Sequence, residues 1–261
     1  MRDEEDVAAS TVRHLFSEGI DGVIVADNRS TDSTRVVLKN LQSEYSPLLI
    51  IDDPVVGYYQ SEKMTDLAKM ARGIESDPDL WILPVDADEV WYSFERQTIK
   101  DAFSRIPAGV DVVGVQLWNH FVTGKDVDNP FPFLRIVYRQ PVPGQLDKVA
   151  FRYREGVRIA QGNHGVLLND VWQPGAGVSV GIRHFPYRSF DHFVRKARNG
   201  AEAYRATTLP ENVGEHWRGY GRILEEHGPE GLRGVFDKWF SFPDPDAAGM
   251  VFDPAPFLRF A

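Results

Sequence analysis

The sequence predicts an α/β fold: a mixed sheet flanked by helices, followed by a helical extension. Three observations point there. Apolar runs that end in acids alternate with helical stripes up to about residue 110. Strand patterns without a long helix between them follow from Asp111. Two long helical segments then cover 189–206 and 211–227. Alternation of the first kind means parallel strands joined by right-handed crossovers.

The elements follow in order. Acids at 3–6 suit a helix start, and Ala8, Val12, Leu15 and Phe16 fall on one helical face. Gly19 ends that helix, and Gly22 to Ala26 reads as a buried strand closed by Asp27 and Asn28. Ser30, Thr31 and Asp32 can cap a helix carrying Val37, Leu38 and Leu41. Leu48 to Ile51 is a second strand; Met64, Leu67, Ala68 and Ala71 make the next helical stripe. Trp81 to Val85 is a third strand ending at Asp86, with Pro84 predicting a bulge or strand end because proline cannot donate to a ladder. Strands at 111–118, 134–139 and 149–153 precede the helices, and residues 242–261 read as a tail across the surface. One continuous fold is expected, with an α/β half at 1–110 and a second half at 111–261.

Composition narrows the function. The 261 residues are 43% hydrophobic and 26% charged, so a real core is expected and wholesale disorder is not. With no cysteine, thiol catalysis and cysteine-ligated zinc are excluded. The net charge of −9 makes a poor non-specific binder of nucleic acid or anionic lipid. A polyanionic ligand needs local positive charge, from a metal or from placed Arg and Lys. The charged start and the lack of a long apolar run predict no signal peptide, no integral membrane segment, and a cytoplasmic location with peripheral membrane association left open.

Ligands of such sheets bind beyond the carboxyl ends of the strands. The polar residues fall there: Asp27 and Asn28, Asp52 and Asp53, Asp86 and Asp88. Asp86-Ala87-Asp88-Glu89 offers two hard carboxylates around a small residue, suited to Mg²⁺ or Mn²⁺, which keep water and bind substrate phosphates. Ser30 to Asp32 serve equally as plain caps. Asn163-His164 after Gly162 reads as a turn or as a ligand contact. Trp91, Tyr92, Trp118 and Phe121 are sugar-stacking candidates or core.

These segments together resemble the family 2 glycosyltransferases of GT-A fold, over roughly residues 2–92. The matching residues are Arg2-Asp3-Glu4-Glu5, then Gly19-Ile20-Asp21, then Val25 to Thr34, and Asp86-Ala87-Asp88-Glu89 as a D-A-D-E form of the DxD motif. His184 to Ser189, with Phe193, Lys196, Asn199 and Gly200, is similar to a later segment of the branch carrying D-A-D-E. The resemblance implies a GT-A-like, Rossmann-type mixed sheet whose first half binds a nucleotide-sugar and whose second half, with its C-terminal helices, faces the acceptor. It implies a metal-dependent, inverting transfer from a UDP- or GDP-sugar to an unspecified hydroxyl of a glycan, lipid, metabolite or protein.

By that resemblance Asp27 or Asn28 meets the nucleobase, and Arg2 and Glu4 line the same pocket. Asp88, with Asp86, holds Mn²⁺ or Mg²⁺, and His184 is a third candidate ligand. Gln60 and Lys63 face the donor, and Arg188 and Lys196 neutralise the diphosphate. The general base has no clean motif: Asp191 is the first choice, Glu155 and Glu202 the alternatives. One departure stands out. The family normally has a strand before the Arg/Asn-Asp/Asn-Glu segment, and here the sequence opens on that segment. Two other readings compete: a haloacid-dehalogenase-like phosphatase using Asp86 to Val90, without the later acidic pair that class needs, and a non-catalytic carbohydrate-binding protein. A nucleotidyltransferase would need a Gly-rich phosphate loop, which is missing.

Overall fold

Parallel strand pairing fixes the first layer. A computed structural model describes residues 1–95 and 97–254. Helix α1 (Ala8–Ser17) buries Ala8, Val12 and Leu15, and Gly19 (φ 81°) ends it where an L-residue would be strained. β1 (Val23–Asp27), α2 (Thr34–Gln42) and β2 (Leu48–Asp52) form a crossover unit, with β1 and β2 parallel from Val23↔Leu48 to Asp27↔Asp52. α3 (Gln60–Ile74) follows. β3 is only Trp81–Ile82, shorter than the strand expected from Trp81 to Val85, and it stops before Pro84, which cannot donate to a ladder. A turn closed by Glu89 N–H on the Asp86 carbonyl (3.2 Å) leads to β4 (Glu89–Ser93), and α4 (Ile99–Ser104) carries a Thr98/Asp101 capping box.

The second layer is assembled mostly from later residues. β5 (Val112–Asn119) is followed by β6 (Val122–Thr123), α5 (Pro132–Arg135), β7 (Tyr138–Arg139) and β8 (Lys148–Arg152). β9 (Val157–Ile159), β10 (Val166–Leu168) and β11 (Val171–Gln173) form a small antiparallel sheet. β12 (Ala176–His184) returns between β5 and β4, giving the order β3-β8-β5-β12-β4, with only the β5–β12 pair parallel among the named neighbours. α6 (Phe190–Arg205), α7 (Glu215–His227) and α8 (Arg233–Trp239) make the C-terminal helical region. β13 (Ser241–Phe242) pairs with β6, and β14 (Val251–Phe252) with β7. A mixed α/β sheet flanked by helices with a helical C-terminal region is the fold class expected.

Several local expectations change. The strand expected at 134–139 is a helical turn opened by Pro132, whose fixed φ suits a first turn, and only Tyr138–Arg139 pairs. The helix expected from 211 begins at Glu215, after Gly214 in the left-handed region (φ 69°). Helix α8 was not expected. The tail lies across the protein as far as Asp253, which binds Arg183 (2.9 Å) and Arg139 (3.2 Å); its expected continuation, 255–261, lies outside the described residues.

The acids near the start do more than begin α1. Asp3 Oδ1 accepts from Thr31 N–H (2.7 Å), Glu5 Oε2 from Ser33 N–H (2.8 Å), and Thr34 Oγ1 from Glu4 N–H (2.8 Å). The Ser/Thr/Asp stretch therefore laces the chain start to the end of β1. Asp32 Oδ1 takes the Thr34 N–H (2.9 Å), the local capping role expected of it.

Candidate functional site

A cavity of about 1080 Å³ begins at the carboxyl ends of β1 and β3. Its mouth carries Arg2, Glu4, Asn28, Gln60, Lys63, Asp86, Asp88, His184 and Lys196. The remainder is an apolar trench between the two strands.

Asp88 is 4% exposed, which only a paired carboxylate tolerates. Its partner is Lys196 Nζ at 2.6 Å, projected from α6. His184 Nε2, at the end of β12, lies 3.7 Å away. Burial would raise the Asp88 pKa, but Lys196 and His184 hold it well below the usual carboxylate range. Lys196 is raised in turn by Asp88 and Glu4 against its own desolvation. Glu4 is held at about 2 by the Arg188 guanidinium and then Lys196, again against burial.

Asp86, two residues earlier, faces another way. Its side chain is 34% exposed and meets Lys148 Nζ (2.6 Å), Gln60 Nε2 (3.3 Å) and Asn163 Nδ2 (3.4 Å). Lys148 opens β8 and also touches Glu89 (2.9 Å), a carboxylate 1% exposed. Burial raises Glu89 and Lys148 opposes it; Lys148 is itself raised by Asp86 and Glu89 despite burial. Two carboxylates of one short motif thus draw cations from two distant elements.

The donor set can be tested for a divalent ion. Asp86 and Asp88 diverge because the segment between them turns rather than extends. Among the described residues no three His, Asp or Glu side chains converge, so the expected trio of Asp86, Asp88 and His184 is not assembled, and Asp86 stands apart with Lys148. Asp88 and His184 do fit. Asn119 donates to Gln140 Oε1 (3.3 Å), which orients its own Oδ1 to accept from His184 Nδ1 (2.8 Å). The other ring nitrogen, Nε2, then faces the Asp88 carboxylate (3.7 Å), so these two side chains could hold a divalent cation between them. Two protein ligands suffice for an ion that keeps water and takes phosphate oxygens.

The other expected residues divide. Arg2 lines the cavity with Nε and Nη1 buried and without hydrogen-bond partners, while Nη2 binds Glu202 (2.6 Å). Asn28 holds the loop after β2, donating to Asp53 Oδ2 (2.9 Å) and the Val55 carbonyl (2.7 Å), and Lys63 binds the same Asp53 (2.6 Å). Gln60 Oε1 accepts from Tyr58 Oη (2.5 Å) and Gly162 N–H (3.0 Å). Asp27 does not line the cavity; its Oδ1 accepts from Ser30 N–H (3.3 Å), a turn role.

Arg188 is corrected as a diphosphate contact. It is buried and spent on Glu4 (2.5 Å) and Asp6 (2.7 Å), pinning α6 to the chain start. Asp191 is corrected as a base. It is exposed and off the α6 face that presents Lys196, because five residues along a helix is a turn and 140° more. Glu155 is exposed in the turn between β8 and β9 and does not line the cavity. Glu202 sits beside the mouth, paired with Arg2. Trp91 and Phe121 are core, and Trp118 packs under Arg139 (4.1 Å); the aromatics lining the cavity are Tyr58, Tyr59, Trp81, Phe103, Tyr204 and Trp217, with Tyr58 and Tyr204 stacked at 4.5 Å.

Sequence reasoning missed Lys148, Glu89 and Asn119. For Lys148 a signal existed: a lysine opening the apolar run Val149-Ala150-Phe151. Asn163, read from sequence as a turn or a ligand contact, sits in the turn with a left-handed φ of 60° and donates to Asp86 Oδ1 (3.4 Å).

No family model matches the sequence, and no curated protein matches it. Among solved structures the chain is similar to two crystal structures of S. aureus TarS. One, of residues 1–349, is 12% identical with a TM-score of 0.39, covering 89% of this chain and 72% of that one. The other is 12% identical with a TM-score of 0.37, covering 89% and 44%. Likeness of that size assigns this chain neither a family nor an activity.

Proposed function

We propose that this chain is an inverting, metal-dependent glycosyltransferase of GT-A type, moving a sugar from a UDP- or GDP-sugar to an acceptor hydroxyl. The reading rests on one observation: at the mouth of a large cavity, Asp86 and Asp88 stand at a strand end, and two lysines and His184 from three other elements converge on them.

In the reaction, the acceptor oxygen bonds to the anomeric carbon as the bond to the diphosphate breaks. The electron pair leaves with the diphosphate, and the hydroxyl proton passes to a carboxylate. Arg2 offers Nη1, which has no hydrogen-bond partner, to an anionic donor. Lys196 and Lys148 stabilise the charge that grows on the leaving group. Asn28, beside Asp53, forms the floor for the nucleobase. Glu202 is the remaining sequence candidate for the base. Mn²⁺ or Mg²⁺ held by Asp88 and His184 would add Lewis-acid stabilisation of the diphosphate.

The test is a screen of UDP- and GDP-sugars with acceptors for nucleoside diphosphate release, with and without Mn²⁺. Metal-dependent release that falls by about a thousandfold or more in Asp88→Asn is expected, with the far-UV circular dichroism unchanged. Full turnover in Asp88→Asn would sink the assignment of that carboxylate. Hydrolysis of an aryl phosphate, or a thermal shift with free sugar alone, would favour the competing classes.

A further inference from the structure

The loop between β9 and β10 carries a histidine to which the transfer reaction has so far given no role. Two consecutive left-handed residues, Gly162 (φ 73°) and Asn163 (φ 60°), turn the chain back, and Ala160 N–H closes the loop on the Gly165 carbonyl (2.9 Å). The tip leans on the candidate site: Gly162 N–H donates to Gln60 Oε1 (3.0 Å) and Asn163 Nδ2 to Asp86 Oδ1 (3.4 Å). His164 follows at once. Its Nδ1 bonds the Asp147 carbonyl (2.9 Å), which can only accept, so Nδ1 carries the proton. Burial, then Lys148 and His184, lower the His164 pKa against the pull of the Asp147 bond and Asp86, so the ring is neutral at pH 7. Nε2 keeps its lone pair, and no group among the described residues bonds it.

An indole stands beside this loop. β9, β10 and β11 turn Val157, Ile159 and Val166 into the core, and the two-residue period of a strand sends Arg158, Leu167 and Trp172 to the opposite face. Trp172 is 56% exposed. Its benzo ring lies over Gly165, the residue after His164, so closely that a Cβ there would collide with it. Only glycine permits that approach. The guanidinium on the same face, Arg158, is already paired with Asp170 (3.0 Å). The rim offers an apolar plane and a neutral hydrogen-bond acceptor side by side, and the cation on that face is spent.

A pyranose has the matching form, with one face of C–H groups and an edge of hydroxyls. We propose that Trp172 and His164 form the acceptor subsite and that it takes a neutral pyranose, the C–H face on the indole and a hydroxyl donating to His164 Nε2. This rests on the transferase reading above and narrows its acceptor from any hydroxyl to that of a sugar. A polyol or a peptide side chain has the hydroxyl without the flat apolar face, and gains only the His164 bond. The contacts of Gly162 and Asn163 keep the subsite against Gln60 and Asp86, at the rim where the donor is proposed to bind.

The test has two arms. In the first, methyl glycosides of glucose, galactose, mannose and N-acetylglucosamine are titrated into the protein with UDP or GDP and Mg²⁺ present, and NMR follows the Trp172 indole N–H and the His164 ring nitrogens. At least one glycoside should shift both signals at about millimolar concentration; glycerol and a Ser/Thr peptide should shift neither. In the second, nucleoside diphosphate release from nucleotide-sugars is measured with the same compounds as acceptors. Trp172→Ala should raise the KM for the sugar acceptor by about tenfold or more and leave the donor KM unchanged. His164→Phe should do the same, and His164→Gln, whose amide oxygen can accept the bond, should do less. Val171→Ser, exposed on the other face of β11, should change neither KM. Glycosides that shift neither signal would overturn the proposal, as would transfer to glycerol or peptide alone, or a sugar KM indifferent to Trp172→Ala. Glycosides that shift both signals without turnover of any nucleotide-sugar would keep the sugar site and sink the transferase reading instead.

Discussion

Asp86 and Asp88 are two residues apart, and their surroundings differ in kind. Asp88 is sealed against α6, its charge answered by Lys196 and faced by His184. Asp86 stays a third exposed, in a hydrogen-bonded rim with Lys148, Gln60 and Asn163. The buried cost on that side falls on Glu89, which shares Lys148. Identical side chains in one motif are therefore one buried charge and one partly exposed charge. The first can hold a ligand in place; the second can respond to it.

The largest expected effect breaks the Lys148 side. Lys148→Met leaves Glu89 buried without its cation, which costs about 3–5 kcal/mol of stability. Glu89 is already pushed up by burial, so it escapes part of this by taking a proton. The loss should be small below its ordinary pKa and grow as pH rises. Lys148→Met with Glu89→Gln should recover at least half of it, read by urea denaturation at pH 5 and pH 8. Equal losses at both pH values would mean that the lysine matters for packing and not for charge.

Next comes the pH dependence on the Asp88 side. Burial lowers His192, beneath Glu4, to about 4, and His14, against the Trp91 carbonyl, to about 4. A histidine held below its ordinary 6.5 stabilises the fold fully above pH 6.5 and loses that contribution as pH falls towards 4. Glu4 and Asp88, both depressed, add a second loss below the ordinary carboxylate range. Thermal melts should show a decline beginning near pH 6.5, and His192→Gln should make that first stage shallower, His14 supplying the rest.

The smallest effects sharpen the contrast at the rim. Asp86→Asn keeps its neighbours' geometry and should change stability by less than about 1 kcal/mol, while raising the donor KM about tenfold. Asp191→Asn should leave both stability and turnover unchanged. A large loss of activity there would reinstate it as the base.

What the sequence determined by itself is local. The alternation of apolar runs and helical stripes set the order of elements through α3 and β3, and Pro84 set where β3 ends. Acids at strand ends marked the mouth of the site, because such residues are favoured only where a strand leaves the core. The tertiary structure decided who meets whom. Lys148 and Lys196 reach Asp86 and Asp88 across 62 and 108 residues. Arg188 turns to Glu4 and Asp6 instead of a ligand, and Asp191 turns to solvent. Periodicity records which face of an element is buried, but a charge's partner depends on how distant elements pack, and no local pattern encodes that.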